Sequence, residues 1–285
     1  MKQLVVDIKD GYAILALGGD CEPGYYKFDF DESQFGDANG DDAHSELGLM
    51  GLGGQPIADL YNKVEIIVLT VPLRFSMIKA VSIDLAAIET YGDEYLNWEA
   101  SQQLPGELGE FRTGFYKLRS SFDRKNLKYL FYASTSDFID VLSKFVLSEA
   151  GPELVIESEA LGLFKVIDLA SDRQGFCAAV SLEQNGAAVI ITQDGDFIAG
   201  KFIAGDNISL GEEIMYYIMA HSSVDSRPKM LICGDLAYLA NLGVIDWADT
   251  LELPETLGLS AKYGVSNPGE FVVAAGLNLR NVDQP

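Results

Sequence analysis

Few residues in this chain are of a type and spacing that could do chemistry. Across its 285 residues there is no GxSxG elbow, no HExxH pair, no P-loop and no Cys/His pair within one segment, so no catalytic residue is nominated. Cys21, Cys177 and Cys233 are odd in number and widely spaced, which supplies neither a disulfide framework nor a CxxC knuckle. Reduced thiols in packing roles are expected. His44 lies in a polar, glycine-punctuated stretch and His221 near the end of a helical pattern, neither with a second ligand at zinc spacing, so no metal site is expected. Two carboxylates and a cation remain. Asp7 closes an apolar run and reads as a strand-end acid accepting hydrogen bonds from the Asp10-Gly11 turn. Glu159, following Ser158, reads as a helix N-terminal carboxylate favoured by the macrodipole. Lys9, two residues after Asp7, is the cation.

The elements that must position these groups form a repeat. Leu4 to Leu17 (LVVDIKDGYAILAL) and Ala179 to Thr192 (AVSLEQNGAAVIIT) are each strand, tight turn, strand. Asp10-Gly11 and Asn185-Gly186 are dipeptides that tolerate positive φ at both centres of a type I′ turn. Third strands follow at Tyr25 to Phe30 and, after Asp194-Gly195, at Asp196 to Lys201. A three-stranded meander therefore opens each half, and two related lobes facing a cleft are expected. The predicted division is a first lobe over 1–72 completed by 151–170, an inserted α+β unit over 73–150, and a second lobe over 171–285.

Between the meanders, Asp31 to Gly54 is acidic and glycine-rich and is expected to be a long surface loop or partly disordered. Val64 to Val71 and Ser76 to Ile83 read as strands. Asp84 caps a helix with Leu85, Ile88, Tyr91, Tyr95 and Trp98 at helical spacing, ending before Pro105-Gly106. Phe111 to Lys117 and Lys128 to Ser134 read as antiparallel strands, and Ser136 starts a helix with Phe138, Ile139 and Leu142 inward. Leu154 to Ile156 feeds a helix from Ser158 to Ala170; Leu210 to Ala220 is helical and Met230 to Cys233 a strand. A last helix, capped at Asn267-Pro268, runs to about Arg280 and carries small residues suited to close packing toward the first lobe.

Composition bounds the partners. A net charge of −23 disfavours nucleic acid, whose affinity comes from Lys and Arg displacing counterions, and disfavours unaided docking on anionic lipid. Apolar runs fall far short of the roughly 18 residues that span a bilayer, and the N-terminus shows no secretory pattern, so a cytoplasmic protein is expected. Arg112, Lys117, Arg119, Arg124, Lys125 and Lys128 crowd one segment, either as a solvated hairpin face or as a docking patch for an acidic surface.

The order of these motifs resembles the actin-like ATPase superfamily, an α/β fold duplicated on a ribonuclease H-like unit, and within it the PilM branch, with FtsA and the cytoplasmic domain of GspL as further likenesses. The resemblance runs from VVDIKDGYAILAL through VPLRFSMIKAVSI, Trp98 to Pro105 (WEASQQLP), SDFIDVLSKFVLSEAG and VIESEALGL to ICGDLAYLANLG and VVAAGLNLR. It implies a nucleotide held by three loops. In the first, this chain keeps Asp7 and Ile8 but has Lys9 where the family has glycine, followed by Asp10 and Gly11. In the second, Ser181, Leu182, Glu183, Gln184 and Asn185 stand where the family has Asp-Ile-Gly-Ala-Ser. In the third, Gly234, Asp235 and Leu236 stand where the family has three glycines, so two of the three are absent. Glu159 matches the family's glutamate near the metal. Asp7, Lys9, Asp10, Gly11, Glu159 and Gly234 are thus the candidate remnants of a nucleotide site.

Glycines in such loops let backbone N–H groups reach phosphates, and a long side chain obstructs that. Glu183 adds repulsion: at an effective dielectric of about 20, like unit charges about 4 Å apart repel by roughly 4 kcal/mol. No bound cofactor is therefore expected, with Mg-ATP as the alternative. The resemblance implies a non-catalytic cytoplasmic scaffold of a type IV pilus or type II secretion assembly platform, peripheral at the inner membrane through its partners. It would dock the cytoplasmic tail of a membrane-anchored protein beside the inserted unit, along with other platform proteins. The alternatives are an ATP-binding switch with weak or no hydrolysis, and a small-molecule kinase of the same fold.

Overall fold

The structure is a computed structural model that describes residues 2–9, 12–19, 24–29, 63–118, 126–146, 151–205, 209–222, 227–235, 237–238, 242, 247–253, 255–257, 259 and 268–279. The acidic stretch 31–54, Asp10, Gly11, Cys21, His44 and Asn267 lie outside the described residues.

Alternating apolar residues and hairpin glycines build two sheets of the same design. In the first, β1 (Lys2–Lys9), β2 (Tyr12–Gly19) and β3 (Gly24–Asp29) form the antiparallel meander, and β4 (Ile66–Val71) and β8 (Glu153–Ser158) add in parallel, in the order β3-β2-β1-β4-β8. In the second, β9 (Phe176–Glu183), β10 (Gly186–Gln193) and β11 (Asp196–Ala204) form the meander, and β12 (Lys229–Gly234) and the short β13 (Asp249–Thr250) add in parallel, in the order β11-β10-β9-β12-β13. Between β4 and β8 the chain builds a separate antiparallel sheet, β5 (Ser76–Asp84), β7 (Asn126–Thr135) and β6 (Phe111–Lys117), with β7 central. It carries α1 (Leu85–Tyr91), α2 (Asp93–Gln103) and α3 (Ser136–Val146).

The helices α4 (Glu159–Ala170) and α6 (Val272–Asn278) pack between the two large sheets. The core there joins Val5, Ile14 and Val68 of the first sheet to Ala179, Ile190 and Cys233 of the second through Leu163, Ile167, Val273 and Leu277. The two helices approach so closely that a Cβ on Gly276 would meet the Gly162 carbonyl. Outer faces are covered separately, the first by α3 through Leu142 and the second by α5 (Ser209–His221) through Leu210, Ile214 and Ile218. α6 also ties back to the first sheet, where Gln3 Nε2 donates to Asn278 Oδ1 at 2.9 Å.

Three local expectations are corrected. The helix expected from Asp84 to Pro105 is two helices, because Gly92 sits at φ 54°, ψ −131°, outside the helical region. Asp84 does cap the first, accepting from the amides of Ala86 and Ala87. The apolar spacing does not mark one buried stripe: Tyr91 and Trp98 are 62% and 54% exposed. The turn after β9 is also displaced by one residue from the expected type I′ dipeptide. Glu183 pairs with Gly186, so Gln184 and Asn185 form the loop, and neither has positive φ. Gly186 belongs to the strand, where a Cβ would strike the Ile203 carbonyl of β11. The type I′ signature appears instead at Asp194-Gly195, with φ of 52° and 80°. The final helix is shorter than expected, a 3-10 turn over Pro268–Phe271 leading into α6.

Candidate functional site

The parallel strands of both large sheets deliver their carboxyl ends to one crevice, which is where open α/β sheets bind ligands. Strand alternation decides which side chains face it. Val5 points into the core between the sheets, so Asp7 and Lys9 share that face at the end of β1; Ala179 does the same for Ser181 and Glu183 at the end of β9. β8 ends at Ser158, whose Oγ accepts from Ala160 N at 3.2 Å and starts α4, placing Glu159 on its first turn. Gly234 ends β12 at φ 82° and pairs with Leu182, leaving no room for a Cβ against that residue's backbone.

These elements bring Asp7, Lys9 and Glu159 together with Glu183. Lys9 Nζ donates to Glu159 Oε1 at 2.5 Å and Glu183 Oε1 at 3.3 Å, and lies 3.6 Å from Asp7 Oδ2. The other Glu159 oxygen accepts the Leu73 amide at 2.8 Å, and the other Glu183 oxygen lies 3.8 Å from Arg74 Nη1. The cluster is out of water: Asp7 and Glu159 are 0% exposed, Lys9 4% and Glu183 5%. The helix N-terminal reading of Glu159 holds for its position, but its carboxylate is spent on Lys9 and Leu73. The turn expected to donate to Asp7, Asp10-Gly11, lies outside the described residues; among the described residues neither Asp7 oxygen has a hydrogen-bond partner.

Three carboxylates share one ammonium and one distant guanidinium, and the ionisation follows from that count. Burial pulls the Lys9 ammonium down, but Asp7, Glu159 and Glu183 together outweigh it and hold Lys9 charged well above the ordinary lysine range. The surplus acid is Asp7, which burial raises to about 7 against the opposing pull of Lys9. Burial also pushes Glu183 upward, opposed by Lys9.

Sequence reasoning treated Glu183 as an obstacle and overlooked Arg74. Lys9 and Glu183 fall at equivalent positions of the repeat with opposite charge, and that was the available signal. The remaining candidates separate from the cluster: Gly234 serves the β9–β12 contact, and Asp10 and Gly11 lie outside the described residues. Cys177 and Cys233 are buried free thiols, and among the described residues no three metal-binding side chains converge at ligand spacing. Of the basic segment, Lys128 pairs with Asp196 at 2.9 Å and Arg112 with Asp140 at 3.5 Å.

The group this architecture implies is a magnesium nucleotide, and the residues present do not fit it. The opening above the cluster, lined by Lys9, Tyr12, Glu183, Gln184, Asp235 and Tyr238, has a cavity of about 20 Å³, space for one water. Its cation is already engaged by carboxylates, and Glu183 and Asp235 set anionic groups where phosphates would enter.

Two meander-plus-parallel sheets enclosing a pair of helices, with a small α+β unit between β4 and β8, define the actin-like ATPase fold. Among solved structures, the PilM-PilN type IV pilus biogenesis complex matches 100% of this chain and 99% of its own, with TM-score 0.61 and 12% identity. The cytoplasmic domain of EpsL, an inner membrane component of the type II secretion system of Vibrio cholerae, matches 100% of this chain and 96% of its own, with TM-score 0.52 and 8% identity. A Bacteroides thetaiotaomicron protein with actin-like ATPase fold and unknown function matches over 85% of both chains, with TM-score 0.52 and 9% identity. At these identities the likeness is one of fold. No protein-family model and no curated protein matches the chain.

Proposed function

We propose that this chain is a non-catalytic docking scaffold of a type IV pilus or type II secretion inner-membrane assembly platform, cytoplasmic and held at the membrane by its partners. The observation that carries this reading is the cleft itself: the strand ends that would handle a ligand are filled by the chain's own ion pairs. The fold likeness to PilM and to the EpsL cytoplasmic domain supports the machine. Among the described residues no helix is long and apolar enough to cross a membrane.

The docking place is a groove of about 210 Å³ between the three-stranded sheet and the first large sheet, lined by Val71, Ser76, Arg112, Thr113, Tyr132 and Ile139 among others. β6 is the outer strand beside it. An extended tail gains main-chain hydrogen bonds at such an edge and specificity from side-chain pockets.

The test is fluorescence anisotropy with labelled cytoplasmic tails of the bitopic membrane proteins encoded beside this chain's gene. Saturable binding is expected, and Thr113→Trp, which fills the groove, or Arg112→Glu is expected to weaken it at least tenfold, about 1.4 kcal/mol. No binding by any of those tails would overturn the docking role. The ATP-switch alternative is favoured only by the meeting of Asp7 and Glu159 at the strand ends, and saturable heat on titrating Mg-ATP into the protein would establish it. A kinase needs a carboxylate facing an acceptor hydroxyl, whereas Asp7, Glu159 and Glu183 face Lys9.

A further inference from the structure

We infer that Lys9 is the resident cation of the cleft: its ammonium fills the place an exchangeable ligand would take between the strand ends and holds the two halves together without one. This rests on the reading above that the cleft handles no nucleotide, and it names what stands in its stead. Lysines at strand ends ordinarily run their stems along the surface and leave the charge in water. Lys9 does the opposite, with 4% exposure, and a charge buried that deeply persists only when it is paired and hydrogen-bonded.

The partners come from every part of the molecule that meets at the cleft. Asp7 is on β1 of the first sheet, Glu183 on β9 of the second, and Glu159 on α4 between them, with Glu159 also holding the Leu73 amide at the entry to the inserted unit. Asp7 is fully buried, with neither oxygen hydrogen-bonded among the described residues, so it relies on Lys9 for compensation. Among the described residues, the adjoining cavity is about 20 Å³, on the scale of one water. Because the ammonium is covalently attached, its occupancy does not vary with any solute, and closure becomes a constant property of the chain. A platform that presents one fixed shape to its partners is the functional consequence.

The experiment measures the distance between the halves by pulsed electron resonance, with nitroxides at Lys63→Cys and Glu213→Cys, both exposed, in a Cys21→Ser background. Wild type is expected to give one narrow distance distribution that neither magnesium nor Mg-ATP changes. Lys9→Met is expected to broaden and lengthen it, with a melting temperature lower by about 10 °C. The triple variant Lys9→Met, Glu159→Gln, Glu183→Gln removes both carboxylate charges that bond the amine, leaving only Asp7, whose buried carboxyl keeps its proton once the amine is gone, and is expected to recover the narrow distribution and most of the lost melting temperature. A Lys9→Met distribution as narrow as wild type would overturn the inference. So would a triple variant as unstable as the single one, and that comparison holds even where Lys9→Met fails to fold. Saturable Mg-ATP binding by wild type would instead remove the nucleotide-free reading on which the inference rests, whereas an unaltered Lys9→Met distance leaves the docking groove untouched.

Discussion

Lys9 and Glu183 occupy the same place in the two halves of the molecule. Each ends the first strand of its meander, each points into the core between the sheets, and each precedes a tight hairpin. Duplication would ordinarily leave like residues at such positions, and here the charges are opposite and the side chains meet at 3.3 Å. The surroundings are not symmetric. Lys9 faces three carboxylates, whereas Glu183 has Lys9 and, at 3.8 Å, a partly exposed Arg74. One half supplies the cation on which the cluster depends, and the other supplies one of several anions competing for it. The two ends of the pair should therefore be unequal when removed.

The largest expected effect is on the cation side. Lys9→Met leaves buried carboxylates uncompensated, and breaking a buried pair in that way costs about 3–5 kcal/mol. Glu183→Gln removes an anion from a site that has too many and is expected to cost less than about 1 kcal/mol, near the net worth of an ordinary hydrogen bond. Urea denaturation of both variants checks the asymmetry, and equal losses would mean that the pair is balanced after all.

The surplus acid gives a second, pH-dependent handle. Asp7 is raised from 3.8 to about 7, so between those values the folded state keeps a proton that the unfolded chain has released. Stability should fall as pH rises through that window and level off above it, by about 4 kcal/mol at most at ~1.4 kcal/mol per tenfold. Glu183, also raised, adds in the same direction. Lys9, held above its ordinary range, contributes a term that persists to alkaline pH and fades only above about 10.5. Asp7→Asn should flatten the acidic side of the profile and be more stable than wild type at pH 8, as read by thermal melts across pH 4–9. A descent that survives in Asp7→Asn would assign the titration to another group.

Much of this arrangement is legible in the sequence. The repeat was visible because two apolar runs broken by glycine-bearing dipeptides can hardly be anything but hairpins, and the matching strand orders of the two sheets follow from it. Asp7, Lys9 and Glu159 could be nominated, since the resemblance placed them on neighbouring loops. What Lys9 does there was not legible, because a lysine that meets a phosphate and one that meets two glutamates look identical along the chain; the distinction lies in the approach of α4 and β9. Helical spacing ran unbroken through Gly92, yet the backbone at that residue departs from the helix and leaves Tyr91 and Trp98 outside the core. The Asn185-Gly186 turn failed for a related reason: its glycine answers to a neighbouring strand, which local propensity does not register.

That last point yields the smallest and cleanest contrast, between the two glycines of the second meander. Gly186 sits at φ 151° with the Ile203 carbonyl and the Ala204 backbone where a Cβ would go. Gly195 sits at φ 80° in a type I′ turn, and a Cβ there would lie 3.2 Å from the side chains of Arg173 and Asp168, which have room to give. Gly195→Ala should cost about 1 kcal/mol for the left-handed backbone alone, and Gly195→Asn less, since asparagine tolerates that region. Gly186→Ala should cost about 2–3 kcal/mol, because backbone of β11 must shift as well. Asparagine should give no relief at position 186, where the obstacle is a neighbouring strand. Equal melting temperatures for Gly186→Ala and Gly195→Ala would mean that Gly186 is, like Gly195, only a turn residue, and that the register displacing the β9–β10 loop by one position is wrong.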